Sequence, residues 1–124
     1  MPKLIYSAAK GLYETAGSGI LIEKTDATLA SNAATANGTA GNLQLEAEAI
    51  ATGTTGTTET ITDSRVTASS VVIVNLSQNA DATKGAPTAS IIAVSAGQFT
   101  FRIGNAHGAD AVTKATCKVS YLVV

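Results

Sequence analysis

The sequence predicts an all-β fold: an antiparallel β-sandwich, jelly-roll-like, in a single domain with an extended or partly helical N-terminal arm. Three observations carry that expectation. Short β-branched and aromatic runs recur between clusters of Ser, Gly, Asn and Asp. Several of these runs alternate apolar and polar residues with a period of two, the spacing of a half-buried strand. No stretch sustains the apolar stripe of a long helix. The composition agrees: 62 of the 124 residues are Ala, Thr, Gly or Ser (23, 18, 11 and 10).

In chain order, Ser7 to Thr15 reads either as a short helix, weakened by Gly11, or as an extended arm. Ile20 to Glu23 reads as a strand. Thr25 to Gly41 contains one large apolar residue, Leu29, and reads as a long loop with a hairpin-turn signal at Asn37-Gly38. These features divide the chain into an arm, residues 1–29, and a sandwich domain, residues 30–124.

Leu43 to Ile50 alternates, with Leu43, Leu45, Ala47 and Ala49 on one face, and reads as a strand although its letters also suit a helix. Thr52 to Thr60 is an extended loop running into a strand at Thr57 to Thr62, and Asp63-Ser64-Arg65 is a turn. Val71 to Leu76 has the β-branched content of a buried strand, ended by Ser77 to Asp81.

Ala89 to Val94 forms the next strand, stopped by Ser95-Ala96-Gly97. In Gln98 to Ile103 the residues Phe99, Phe101 and Ile103 face inward. The loop Gly104 to Asp110 leads to a final strand, Cys117 to Val124, whose inward set is Cys117, Val119, Tyr121 and Val123. The expected core is Val72, Val74, Ile91, Phe99, Phe101, Ile103, Val119, Tyr121 and Val123. It is thin, because only five residues are aromatic and 23 of the apolar ones are Ala.

Composition also bounds function. The net charge is −1, with six Lys, two Arg and no basic run, so the clustered cations that replace counterions on nucleic-acid phosphates are missing. No segment approaches the ~18 apolar residues of a membrane-spanning helix, and Met1 to Tyr6 is too short for a secretory signal. The expected product is mature, soluble and made in a reducing cytoplasm. Its single Cys117 can form no internal disulfide.

Titratable groups are scarce, and the expectation is of no enzyme, no cofactor, no metal, and no catalytic or ligand-binding residues. His107 has Asp110 three residues on but no further ligands nearby for a metal, and reads as a loop residue. Cys117 reads as a small apolar filler. Glu46 and Glu48 share one strand face and read as solvated, with a basic partner surface as the other use. Asp63 and Arg65 flank a turn and could pair across it for little energy. Asp63, Asp81 and Asp110 fit no calcium-loop spacing.

Three segments carry a resemblance: Ile61-Thr62-Asp63-Ser64-Arg65-Val66-Thr67-Ala68-Ser69-Ser70-Val71-Val72-Ile73, Val94-Ser95-Ala96-Gly97-Gln98-Phe99-Thr100-Phe101, and Val119-Ser120-Tyr121-Leu122-Val123-Val124. Together these resemble small accessory proteins of tailed-bacteriophage virions: capsid decoration (cement) proteins, and similar β modules of head and tail fibres. The resemblance spans about residues 60–124 and brings no catalytic residues.

It implies a structural virion protein on the capsid surface, made in the host bacterial cytoplasm. Such a protein clamps subunits of the major capsid protein, often as a trimer, with the N-terminal segment as a candidate arm. Partners would be the major capsid protein and further copies of the chain, with no nucleic acid and no membrane. The alternative is a tail-fibre or receptor-binding module, with Gly53–Glu59 and Gly104–Asp110 contacting the host. A non-viral carbohydrate-binding or adhesin-like module fits less well, because the chain has no Trp and three Tyr.

Overall fold

The computed structural model describes residues 4–7, 11–14, 23–79 and 87–124. Among these, the strands in chain order are β1 (Leu4–Ser7), β2 (Gly11–Glu14), β3 (Ala27–Thr28), β4 (Ala33–Thr35), β5 (Ala40–Gln44), β6 (Ala49–Ile50) and β7 (Thr54–Thr55). They continue with β8 (Glu59–Thr62), β9 (Val72–Asn79), β10 (Thr88–Ser95), β11 (Gln98–Asn105), β12 (Val112–Thr113) and β13 (Cys117–Val123), and one 3-10 turn spans Lys114–Thr116. The fold is all-β. β1 and β2 pair antiparallel, so strand is the conformation of the described part of the N-terminal segment. The strand expected at Ile20 to Glu23 lies outside the described residues except for Glu23, which is not in a strand.

Two sheets enclose the core. One runs in the order β10–β11–β8–β4, with β7 also on β11, and the other in the order β3–β5–β13–β9. A third, minor pairing joins β6 to β12. From the first sheet Ile61, Phe99, Phe101 and Ile103 point inward. From the second come Leu43, Cys117, Val119, Tyr121 and Val123. The Phe99 ring lies 6.4 Å from Phe101 and 5.7 Å from Tyr121, tilted against both, so the aromatic contact bridges the two layers.

Six of the nine expected core residues are buried. Val72, Val74 and Ile91 are only half-buried, though packed against the core. The reason is position: β9 and β10 end their respective sheets, so each has a neighbour on one side only.

Other expectations are corrected. Thr25 to Gly41 is not a loop, since it holds β3, β4 and the start of β5. β3 pairs parallel with β5 and β4 parallel with β8, which makes both sheets mixed. Leu29 and Ala36 anchor this segment in the core. Glu23 to Leu29, placed in the arm by the sequence, are joined to the second sheet through Thr25 N–H to Ala40 O at 2.8 Å and Leu29 N–H to Gln44 O at 2.9 Å.

Asn37-Gly38 closes no hairpin. It is the corner where the chain leaves β4 in one sheet for β5 in the other, with the Ser64 N–H donating to Asn37 Oδ1 at 2.9 Å. The tight turn lies six residues earlier, where Ser31 (φ 52°) and Asn32 (φ 59°) are both left-handed. Ala30 and Ala33 close it by exchanging N–H···O bonds of 3.0 and 3.1 Å. Two consecutive positive φ angles are what a two-residue hairpin turn of the I′ type requires, here without glycine.

The strand expected over Leu43 to Ile50 stops at Gln44. Leu43 and Leu45 are buried, Ala47 and Ala49 are exposed, and Ile50 is buried, so the alternation slips by one residue across Glu46 to Ala49. The run Val71 to Leu76 is an edge strand rather than a buried one: Val71 and Ile73 are 60% and 52% exposed. It continues through the expected turn cluster to Asn79, and the rest of that cluster lies outside the described residues.

Candidate functional site

The polar centre of the domain is Lys114. The 3-10 turn that follows β12 is fixed by the Lys114 N–H donating to Glu48 O at 2.8 Å, and it carries a side chain with no exposure. Its Nζ donates to Glu59 Oε1, to Glu48 Oε2 and, at 3.1 Å, to Asn32 Oδ1. An ammonium has three protons to donate, and here three acceptors surround it.

Glu59 reaches the lysine from the inward register of β8, in phase with Ile61. It too has no exposure, and its Oε2 has no hydrogen-bond partner among the described residues. Removing one partner of such a buried pair leaves an uncompensated charge, which is strongly destabilising.

Glu46 and Glu48, expected on a solvated face, instead hold backbone. Glu46 accepts the N–H groups of Asn32 and, at 3.2 Å, Ser31, so its carboxylate sits on the two left-handed residues of the turn. Successive N–H groups in such a conformation form a concavity that suits an anion. Glu48 accepts the Thr57 N–H at 3.0 Å and the Thr57 hydroxyl at 2.7 Å. Asn32, Glu46, Ala47, Glu48 and Thr57 line a shallow hollow of about 290 Å³.

The electrostatics separate the two glutamates bonded to the lysine. The hydrogen bond from Lys114, with those from Thr57, holds the Glu48 carboxyl below its ordinary value. Burial pushes Glu59 up, against the opposing pull of Lys114. Burial disfavours the Lys114 ammonium, but its bonds to Glu48 and Glu59 outweigh that and hold it charged above its ordinary range.

The other residues singled out by the sequence lie elsewhere. His107 Nδ1 accepts the N–H groups of Ala109 at 3.2 Å and Asp110 at 2.9 Å, so it acts as an acceptor that shapes its own loop. That loop hangs on a residue the sequence did not flag: buried Asn105 donates to Ile50 O at 3.0 Å and Asp110 O at 2.9 Å, and accepts the His107 N–H at 3.0 Å. Cys117 is buried on the inward face, and burial pushes its thiol up.

Asp63 and Arg65 do not pair through their side chains. The Asp63 carboxylate is buried and accepts the Arg65 backbone N–H at 2.9 Å, while the Arg65 guanidinium goes to Glu23. Asp81 lies outside the described residues. The Tyr121 hydroxyl donates to Thr25 O at 3.1 Å. Burial, with the nearby charges of Asp63 and Asp26, pushes it up to about 12.

Lys114, Glu59 and Asn32 were not singled out by the sequence. The one available signal was that Glu59 falls in phase with inward Ile61. Among the described residues no three His, Cys, Asp or Glu side chains are grouped to hold a metal ion, and no helix is long and apolar enough to cross a membrane. Comparison with known proteins finds no matching family model, no matching curated protein and no matching solved structure.

Proposed function

We propose that this chain is a structural virion protein that decorates a phage capsid, clamping subunits of the major capsid protein as a homo-oligomer, most simply a trimer. The supporting observation is the open side of the sandwich. β9 and β10 lie beside each other, each ending its sheet. Val71, Ile73 and Ile92 are 60%, 52% and 52% exposed along them, and neither strand contains a charged residue. Monomeric proteins usually blunt such edges with charges or bulges; here neither strand is charged, and each carries a single register shift, at Ile92 in β10 and at Ser77 in β9. An uncharged, apolar edge suits burial against a neighbouring subunit.

The test is co-sedimentation of the purified chain with capsids stripped of accessory proteins. Saturation at a stoichiometry set by capsid symmetry is the expected result. Absence of binding, with the protein found on tails or host cells, would reject decoration.

One observation favours the second reading, a tail-fibre or receptor-binding module. The loops Gly53–Glu59 and Gly104–Asp110 converge: Gly53 N–H donates to Asn105 O at 2.9 Å, and β7 pairs with β11 at Gly104 and Asn105. Gly53, Thr54, Thr55, Thr88, Gly104 and Ala106 contribute to a groove of about 630 Å³ there.

A further inference from the structure

We propose that Lys114 and Asn32 become covalently joined, Nζ to Cγ, in an amide bond that the folded chain forms by itself with Glu59 as the acid–base catalyst. The reacting groups already touch. Lys114 Nζ lies 3.1 Å from Asn32 Oδ1, a hydrogen bond that brings the nitrogen up to the carboxamide whose Cγ it must attack. Glu59 Oε1 contacts the same nitrogen, and both Lys114 and Glu59 are fully buried.

Asn32 is held from three other directions. Its N–H goes to Glu46, its carbonyl accepts the Thr60 N–H at 2.9 Å, and its backbone is fixed in the left-handed turn. The carboxamide is thereby presented to Lys114 from a rigid support.

The step balances without a co-reactant. Glu59 takes one proton from the Lys114 ammonium, and the freed amine attacks Asn32 Cγ. Glu59 returns the proton to Nδ2 as the Cγ–Nδ2 bond breaks, and ammonia departs with the remaining proton as ammonium. One Nζ–Cγ bond forms, one Cγ–Nδ2 bond is lost, and nothing is oxidised or reduced.

Glu59 suits the role because its Oε2 has no hydrogen-bond partner among the described residues and because burial raises the affinity of its carboxylate for the proton it takes. Glu48 keeps its negative charge and continues to accept from Lys114 and Thr57, so it is a positioning group. Its carboxylate and that of Glu59 are poor electrophiles beside a neutral carboxamide, which makes Asn32 the acceptor. The product would tie the turn between β3 and β4 to the 3-10 turn before β13, residues 82 apart in sequence. This inference stands whether or not the protein belongs to a virion.

The experiment is intact mass spectrometry of the purified full chain, followed by proteolysis and fragment sequencing. The expected result is a mass short by one ammonia and a branched peptide joining Lys114 to Asn32. Lys114→Arg and Asn32→Ala should keep the full mass, and Glu59→Gln should remain unlinked while circular dichroism reports a folded β protein.

Asn37-Gly38 can lose the same ammonia by closing a succinimide, so Asn37→Ala is the control. The loss should persist in that variant, and a loss that disappears with Asn37 overturns the proposal. Full mass in the wild-type chain after prolonged incubation at neutral pH overturns it as well, independently of whether any variant folds.

Discussion

Glu46 holds Asn32 by its backbone: the carboxylate accepts the Asn32 N–H while its second oxygen takes the Ser31 N–H at 3.2 Å. A side chain from beyond the end of β5 therefore stabilises a left-handed turn that Ser31 disfavours and Asn32 tolerates. Left-handed backbone costs an ordinary residue roughly 1–2 kcal/mol. Glu46→Ala is expected to lower stability by about 1.5–3 kcal/mol, the range for a hydrogen bond to a charged group. Ser31→Gly, which removes the steric penalty, should be neutral or stabilising. Denaturant midpoints of the two variants check both signs.

Gly41 is required by a close approach. A Cβ there would lie 1.9 Å from Thr25 O and 2.8 Å from Tyr121 Cε1. The first neighbour is backbone and cannot step aside without disturbing the Thr25 N–H bond to Ala40 O. Gly41→Ala is expected to cost about 1–3 kcal/mol or more, whereas Gly108→Ala, in open space, should change the melting temperature little.

In the chain whose Lys114 is not yet joined to Asn32, acid stability should divide between the two glutamates on Lys114. Glu48 has its folded pKa below the unfolded value, so it contributes stability that is present above about pH 4.5 and lost as pH falls through its folded pKa. Glu59 has its folded pKa raised, so its contribution has the opposite sign: greatest in acid and lost as pH rises through the folded value. Urea denaturation across about pH 3 to 7 should show a flatter acid limb in Glu48→Gln and a steeper one in Glu59→Gln.

The Tyr121 hydroxyl should titrate late. Its pKa of about 12 exceeds the ordinary 10.0, so stability is full below pH 10 and falls as pH rises toward 12. Absorbance titration of the native protein should contain a phase near pH 12 that is missing in Tyr121→Phe.

Two substitutions should separate the core from the open edge. Phe101→Ala removes a ring with no exposure at the centre of the first sheet and is expected to cost about 3–5 kcal/mol. Ile73→Lys combined with Ile92→Lys alters exposed positions and should leave stability within roughly 1 kcal/mol. If the edge is a subunit interface, the double variant sediments as a monomer where the parent does not.

The strands of the second half were legible because their letters state a period of two. Gln98 to Ile103 and Cys117 to Val123 place their apolar residues on one face, and those faces are buried. The segment Thr25 to Gly41 was not legible, since β3, β4 and the start of β5 are made there of Ala, Thr and Gly and are set by pairing with β5, β8 and β13. Asn37-Gly38 misled for a related reason: two left-handed residues were needed at Ser31-Asn32, and Glu46 supplies the support that glycine would otherwise give. Lys114 was invisible, because nothing in Val112 to Thr116 says that a 3-10 turn will direct a lysine inward. Glu46 and Glu48 have the letters of a solvated face, and only tertiary contacts turn them into struts.

The place of β13 between β5 and β9 has a consequence for biosynthesis. Both neighbours leave the ribosome before it, and neither is hydrogen-bonded to the other. Until Cys117 to Val123 emerge, the second sheet has no middle strand, and β9 waits with both margins open and no charge along its length. Pairings so distant in sequence close slowly, and nascent chains with bare strand margins are vulnerable to joining one another. Synthesis of this protein should therefore be limited less by final stability than by how long each chain waits for β13.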